Sequence, residues 1–382
     1  MTLEEFIGQQ NGTTFWKEFT FTQLKLRVAG GEAELADNVV WFGDVAIIIQ
    51  MKERVAETED PEAERRWFNN KVMKTAIKQI KDSMRFLDER GSIPVSNIRN
   101  QSFELRKANL REVKKVVIYK SGRALPAESR GVQYKESQSV GFIHIFDQDN
   151  YDRALNILIA PEEIRRYLDY RQASLLKLAG HKIRVTEDDI IAAYTLAQLV
   201  PTPTSHTALT RLMDDIDSYN LSSILGNLAD HIEVDDRINE YAKIMVEFAR
   251  VPRAAWKAAK ERLDRCLVAS RTGQFLQPYR FYYEGTDTSF VFSALHPDIP
   301  AGNADREKRG GYLQFLTTAG KYLSQAKTGV GVQVSYLDGD VMIDWCLVDE
   351  PWNRDPIMEK VTADEIFRPV REQQVDGFFF GS

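Results

Sequence analysis

The stretch Glu34-Leu-Ala-Asp37-Asn-Val-Val-Trp-Phe42-Gly-Asp-Val45-Ala-Ile-Ile-Ile-Gln50-Met-Lys52 reads as two apolar runs joined by a two-residue bend. Gly43-Asp44 suits a primed hairpin turn, because glycine accepts a positive φ at no steric cost. With Phe42 opposite Val45, counting back pairs Trp41 with Ala46, Val40 with Ile47, Val39 with Ile48, Asn38 with Ile49, and Asp37 with Gln50. Opposed residues share a face and side chains alternate with period two, so Asp37, Gln50 and Lys52 are expected on one side. The run 45–49 is apolar at both parities, the mark of a strand covered on both faces. A lysine next to such a strand is unfavourable unless it has a partner or a chemical task.

These residue types together suit one chemistry. A divalent cation takes hard oxygen ligands, which the Asp37 carboxylate and the Gln50 side-chain carbonyl provide along with waters and a substrate phosphate. Bound metal makes water a better nucleophile and offsets charge on the attacked phosphate. Lys52 can orient that water or steady the extra negative charge of the transition state.

Asp37, followed by Gln50-Met51-Lys52 after a short antiparallel hairpin, resembles the PD-(D/E)XK nuclease superfamily, in the variant where glutamine replaces the usual acid, as in Mrr-like restriction enzymes. Ala36-Asp37 stands where the family writes Pro-Asp. The resemblance implies an α/β, restriction-endonuclease-like αβββαβ core at the N-terminus, Mg²⁺ (or Mn²⁺) as cofactor, and endonucleolytic hydrolysis of nucleic acid. Double-stranded DNA is the expected partner, and bacterial defence is the role by analogy. The implied catalytic residues are Asp37, Gln50, Lys52 and Glu34, with Asp37, Gln50 and Glu34 at the metal. The glutamine removes a formal charge, so Asp37 needs another acid. Glu34 is nearest, although strict alternation puts it on the opposite face unless the chain is irregular before Asp37. Glu18 and Glu5 are further candidates, because the family often draws an acid from its first helix or the adjoining strand.

The order of elements around the hairpin agrees with that core. Thr2-Leu-Glu-Glu5 has the form of a capping box opening a short helix. The segment 18–28 reads as a strand whose apolar parity changes near Gln23, which suggests a bulge. After Asp60-Pro61 a long helix runs to about Arg90, closed by Gly91, with Met73, Ile77, Ile80, Met84 and Leu87 as its core stripe. Residues 115–119 make a further strand.

The long helix also carries Lys71, Lys74, Lys78, Lys81 and Arg85 at spacings of three and four, and Asp82 is the only acid between Arg65 and Arg85. Such a line of cations suits a phosphate backbone, whose displaced counterions provide affinity. An ordinary solvated helix face is the plain alternative. Lys78 and Gln79 are the pair to test first.

Whole-chain properties limit these readings. A chain of 382 residues accommodates two or three domains, and a net charge of −6 confines any nucleic-acid contact to local patches. Cys266 and Cys346 are far apart with no metal-ligand spacing around them, which argues against zinc and a disulfide framework and fits a cytoplasmic setting. No apolar run approaches the ~20 residues needed to span a bilayer, so no membrane partner is expected.

Three domains are anticipated: a nuclease-like domain over 1–150, a helical domain over 151–270, and an α+β domain over 271–382 for recognition or partner binding. Helices are expected at 154–177, 187–199, 209–219, 221–229, 237–250 and 252–267. Two hairpins flanking a helix at 305–325 make a ββαββ unit, with Asp338-Gly339 a strong turn signal. The closing Phe378-Phe379-Phe380 is expected to pack on this domain. No nucleophile elbow, phosphate-binding loop or dinucleotide fingerprint is present. The scattered histidines read as surface or satisfied core residues, and the paired aspartates at 188–189, 214–215 and 235–236 as helix starts and solvated faces. The second reading is a catalytically inactive nuclease-like nucleic-acid-binding or scaffold protein, supported by the neutral Gln50. A homodimer or an accessory protein is the protein partner compatible with either.

Overall fold

In the computed structural model, Thr2 Oγ1 accepts the Glu5 amide at 3.2 Å and the Glu5 carboxylate accepts the Thr2 amide at 2.9 Å. This capping box opens helix α1 (Leu3–Thr14). The structure describes residues 1–382 except 29–30, 57, 180, 182, 203–206, 232–239, 303–304 and 371–382, with the backbone alone at 23–28, 31–35, 207–208, 211–212, 231 and 240. The chain divides into two compact units, Met1–Asp214 with Ser222–Asn227, and Asp215–Leu221 with Leu228–Ser382. Segment 1–150 lies in the first unit, 271–382 in the second, and the helical stretch 151–270 contributes to both.

The first unit is built on β1 (Thr20–Val28), β2 (Gly31–Phe42) and β3 (Val45–Glu53). Phe42, Trp41, Val40, Val39 and Asn38 pair with Val45, Ala46, Ile47, Ile48 and Ile49 in turn, the register counted from the bend. Of the two central turn residues only Gly43 has a positive φ, +56°, which matches a glycine-first primed turn. The bulge anticipated near Gln23 falls between Leu24 and Lys25.

One long helical run follows, but it is not a continuous α-helix. It consists of α2 (Pro61–Trp67), a π-helical segment (Phe68–Ala76) and α3 (Ile77–Arg90). The Thr75 hydroxyl donates to the Asn70 carbonyl five residues back, at 2.9 Å. The wider turns move the buried stripe to Phe68, Val72, Ala76, Ile77, Ile80, Ser83 and Leu87, leaving Met73 and Met84 only partly covered. Gly91 closes the helix at φ +66° with open space around its Cα. Gly91→Ala should therefore destabilise the protein by about 1 kcal/mol through backbone strain alone, read as a lower midpoint in denaturant melts.

The hairpin β4 (Ser92–Ser96) and β5 (Ser102–Arg106) was not expected, and it buries Ile93, Val95 and Leu105 in the same core. Next come β6 (Glu112–Lys120), the short α4 (Ala127–Arg130), β7 (Tyr134–Ser137) and β8 (Gly141–Asp147). The six-stranded sheet has the order β1-β2-β3-β6-β8-β7. Its centre, β3-β6-β8, is parallel, and the outer pairings are antiparallel.

The helical run packs on one face of this sheet. On the other, Asn11 of α1 donates to Asn38, and Tyr151 of α5 (Gln148–Leu158) donates to Asn11, both at 2.9 Å. The single helix expected at 154–177 is two, α5 and α6 (Pro161–Leu178), because Ile159 turns to φ +56° and Pro161 starts afresh. The unit is completed by α7 (Glu187–Thr195), α8 (Thr207–Asp214) and α9 (Ser222–Gly226).

The second unit contains α10 (Glu240–Ala249), α11 (Arg253–Thr272), β9 (Tyr279–Tyr283), β10 (Thr288–Ala294), α12 (Arg306–Ser324), β11 (Thr328–Leu337), β12 (Asp340–Asp349) and α13 (Pro356–Val361). Its sheet has the order β12-β11-β10-β9, with β10 and β11 parallel across α12, so the ββαββ unit is formed. Tyr241, Met245 and Phe248 of α10 are buried. Residues 203–206, Asp235-Asp236 and Phe378-Phe379-Phe380 lie outside the described residues. Both units are mixed α/β.

Candidate active site

Main-chain pairing of the β2–β3 hairpin is recorded up to Asn38 and Ile49; beyond it the Asp37 side chain takes over. Its Oδ2 accepts the Met51 amide at 2.5 Å and lies 3.7 Å from Lys52 Nζ, which donates to the Met51 carbonyl at 2.6 Å. Gln50, one position earlier on β3, is fully buried, Asp37 is 5% exposed, and the Lys52 side chain is 17% exposed. The pair thus meets solvent mainly through Lys52. Burial pushes the Asp37 carboxyl above its ordinary value and outweighs the opposing pull of Lys52 and the Met51 amide.

Two further groups belong to this place and were not singled out from the sequence. Lys52 is in register with Tyr119 on β6, and Tyr119 with Asp147 on β8, so one row crosses the carboxyl ends of three parallel strands. Ligands of open α/β sheets bind at such ends. The Tyr119 hydroxyl is buried without a hydrogen-bond partner among the described residues, and its ring meets Phe68 of the π segment at 5.1 Å. Burial, with the Asp147 charge adding to it, pushes this phenol upward. Asp147 caps α5, accepting the Asn150 amide at 2.8 Å and its side chain at 2.6 Å, and burial raises its carboxyl. The signal in the sequence was a polar residue ending each apolar strand, Val-Val-Ile-Tyr119 and Ile-Phe-Asp147.

None of the acids proposed from the sequence serves as the second acid beside Asp37 among the described residues. The side chain of Glu34 lies outside them. Glu18 is buried against Arg99, and Glu5 is spent on its helix cap. A fourth carboxylate, Glu64, is fully buried, but Arg54 holds it at 2.8 Å and the Gly122 amide at 3.2 Å. No three His, Cys, Asp or Glu side chains cluster as metal ligands among the described residues. The donors present nonetheless fit a magnesium-like ion. The described contacts of Asp37 all fall on Oδ2, leaving Oδ1 for a cation, and the buried Gln50 is a second oxygen-bearing side chain at this end of β3. Mg²⁺ keeps several waters and needs only one or two carboxylates besides substrate phosphate.

The cationic stripe is exposed as expected at Lys71, Lys74, Lys78, Lys81 and Arg85. It differs from the sequence reading in two ways. Lys71 and Lys74 lie on the π segment while the other three lie on α3. Asp82 also serves two cations, Lys78 at 3.4 Å and Arg85 at 3.1 Å, and Glu89 approaches Arg85 at 3.8 Å from the next turn. Gln79 is half-buried, and its Oε1 has no hydrogen-bond partner among the described residues.

Of the histidines, His144 is a core residue 3.3 Å from Arg171. Asp189 completes a capping box with Thr186, and Asp215 pairs with Arg253 at 2.9 Å. No helix among the described residues is long and apolar enough to cross a membrane. No family model matches the sequence, and no curated protein or solved structure matches it significantly.

Proposed function

We propose that the first unit is a cytoplasmic, metal-dependent endonuclease of restriction-endonuclease-like fold, acting on double-stranded DNA, with a part in bacterial defence as the analogy suggests. The observation that carries this reading is the meeting of Asp37 and Lys52, 3.7 Å apart, at the carboxyl end of β3. When bound, Mg²⁺ or Mn²⁺ activates water and offsets charge on the attacked phosphate. Asp37 and Gln50 are the residues that would hold the ion. Lys52 keeps donor capacity beyond Met51 and Asp37, and directs it at the non-bridging phosphate oxygens as charge builds on them. The exposed cations of α3 steady the duplex on that side.

The test is nicking or linearisation of supercoiled plasmid by the full chain with Mg²⁺ or Mn²⁺, against a chelator control. Cutting that persists in chelator, or in both Asp37→Ala and Lys52→Ala, rejects the assignment. A second reading, a catalytically inactive nuclease-like scaffold, is favoured by the lack of a three-ligand cluster among the described residues. It predicts duplex binding indifferent to Mg²⁺.

The phosphate grip is tested separately. Lys81→Ala and Lys78→Ala should each weaken duplex binding irrespective of sequence and reduce the slope of log K against log salt by about 1. An unchanged slope, measured by fluorescence anisotropy, would make this an ordinary solvated face.

A further inference from the structure

A cavity of about 520 Å³ in the second unit is walled by four arginines: Arg262 and Arg265 of α11, Arg280 of β9, and Arg368 beyond α13. Local structure explains the convergence. Arg262 and Arg265 are three residues apart and share a helix face. The Arg368 amide donates to the Pro278 carbonyl at 3.0 Å, which ties the C-terminal segment beside the start of β9. The guanidinium carbons of Arg368 and Arg265 are 5.0 and 6.0 Å from the Tyr279 ring centroid.

These cations are poorly compensated. Arg280 donates to the Ser324 hydroxyl at 2.6 Å, and Arg262 to the carbonyl of Ala258 in its own helix at 2.7 Å. The Nε atoms of both are buried with no acceptor among the described residues. Among the described residues the one carboxylate in the wall is Glu261, set against four guanidinium groups. Burial pulls both Arg262 and Arg280 below the ordinary arginine value; at Arg262 Glu261 opposes this and the neighbouring Arg265 adds to it. Half-buried Arg262 and Arg280, with exposed Arg265 and Arg368 beside the same space, leave a local excess of positive charge that an anion entering it would offset.

We infer that this cavity is a binding site for a small phosphorylated ligand of nucleotide size, carrying linked phosphates. The volume falls within the range of about 300–1,000 Å³ typical of small-molecule sites. Guanidinium forks match phosphate oxygens bidentately, and a lone carboxylate with its two oxygens cannot engage four of them. Concavity favours a compact ligand over a nucleic-acid backbone. The inference is independent of the reading of Asp37.

The experiment is isothermal titration calorimetry on the full chain with inorganic pyrophosphate, ATP and a short DNA duplex as probes. Wild type should bind pyrophosphate or ATP, with Arg262→Gln and Arg280→Gln each weakening the affinity about tenfold or more. Asp37→Ala should leave it unchanged. Arg265→Gln, at an exposed position, keeps the test open should a more buried variant fail to fold. Absence of binding by both small probes, or binding indifferent to all three arginines, overturns the proposal. Duplex binding that alone depends on these arginines overturns it as well, and assigns the surface to a phosphate backbone.

Discussion

Lys52→Ala is expected to lower Mg²⁺-dependent plasmid cleavage by about 10²–10³-fold, the loss typical when one preorganised donor is removed from a transition state. Lys52 lies 3.7 Å from Asp37 and is the more exposed of the two, so on the proposed reading the amine is the group a phosphodiester would reach first. A merely structural ion pair would behave differently, and Asp37→Asn separates the cases. Burial holds the Asp37 carboxyl above its ordinary value of 3.8 despite Lys52 and the Met51 amide. The folded state therefore binds this proton more tightly than the unfolded chain does. The stability gained that way is complete below the ordinary value and is lost as pH rises through the raised one. Asp37→Asn, neutral and of the same shape, removes that slope. It should melt above wild type at pH 7 while activity is abolished, the usual exchange of stability for function at a charged site. Thermal melts at several pH values check this. A variant less stable than wild type at pH 7 would make the pair a structural clasp.

Arg171→Ala should destabilise the first unit by about 3–5 kcal/mol, the usual consequence of removing one member of a buried ion pair. Arg171 is fully buried on α6 and binds Glu187 through Nε at 2.8 Å and Nη2 at 3.0 Å. It also donates to the carbonyls of Ile145 and Gln133, each at 3.0 Å, while Tyr167 donates to Glu187 and the guanidinium carbon sits 3.9 Å from the Phe146 ring centroid. Truncation leaves the Glu187 carboxylate buried without its cation, and the carbonyls of Ile145 in β8 and of Gln133 just before β7 without this donor. Arginine can only donate, so His144 Nδ1 accepts from it at 3.3 Å and the ring is neutral. Burial, then the Arg171 charge, pulls the His144 pKa well below its ordinary 6.5. Below pH 6.5 the unfolded chain takes up a proton that the folded one refuses. This contribution to stability is therefore whole above 6.5 and declines as the pH falls from there toward the depressed value. Equilibrium denaturation of Arg171→Ala at pH 7.5, and of wild type from pH 7.5 to 5, measures both effects. A loss under 1 kcal/mol for Arg171→Ala would show that the surroundings rehydrate the site.

Local chemistry made some of this legible in advance. The hairpin register followed from one glycine and the alternation of apolar residues, and the first helix from a four-residue capping box, because both depend on contacts a few residues apart. The Asp338-Gly339 turn was readable for the same reason. Errors arose where neighbours distant in sequence chose the conformation. The π segment keeps Phe68, Val72 and Ala76 against the sheet at a helical pitch that periodicity alone does not reveal. The β4–β5 hairpin exists because its apolar residues complete a core assembled from elsewhere. Pro161, in contrast, was a plain local signal for a break between α5 and α6.

That Asp37 and Lys52 come out on one side of the hairpin was readable from local chemistry, since a two-residue bend sets the antiparallel register that leads up to them. What surrounds them depends on packing between distant segments. Tyr119 and Asp147 join the row through parallel pairing, which links segments dozens of residues apart and leaves no mark in local pattern. The same holds for the arginine-lined cavity, whose walls come from a helix, a strand and the C-terminal segment. The burial that raises the Asp37 carboxyl is a property of everything packed above it, so its charge state is set by the fold and not by its neighbours along the chain.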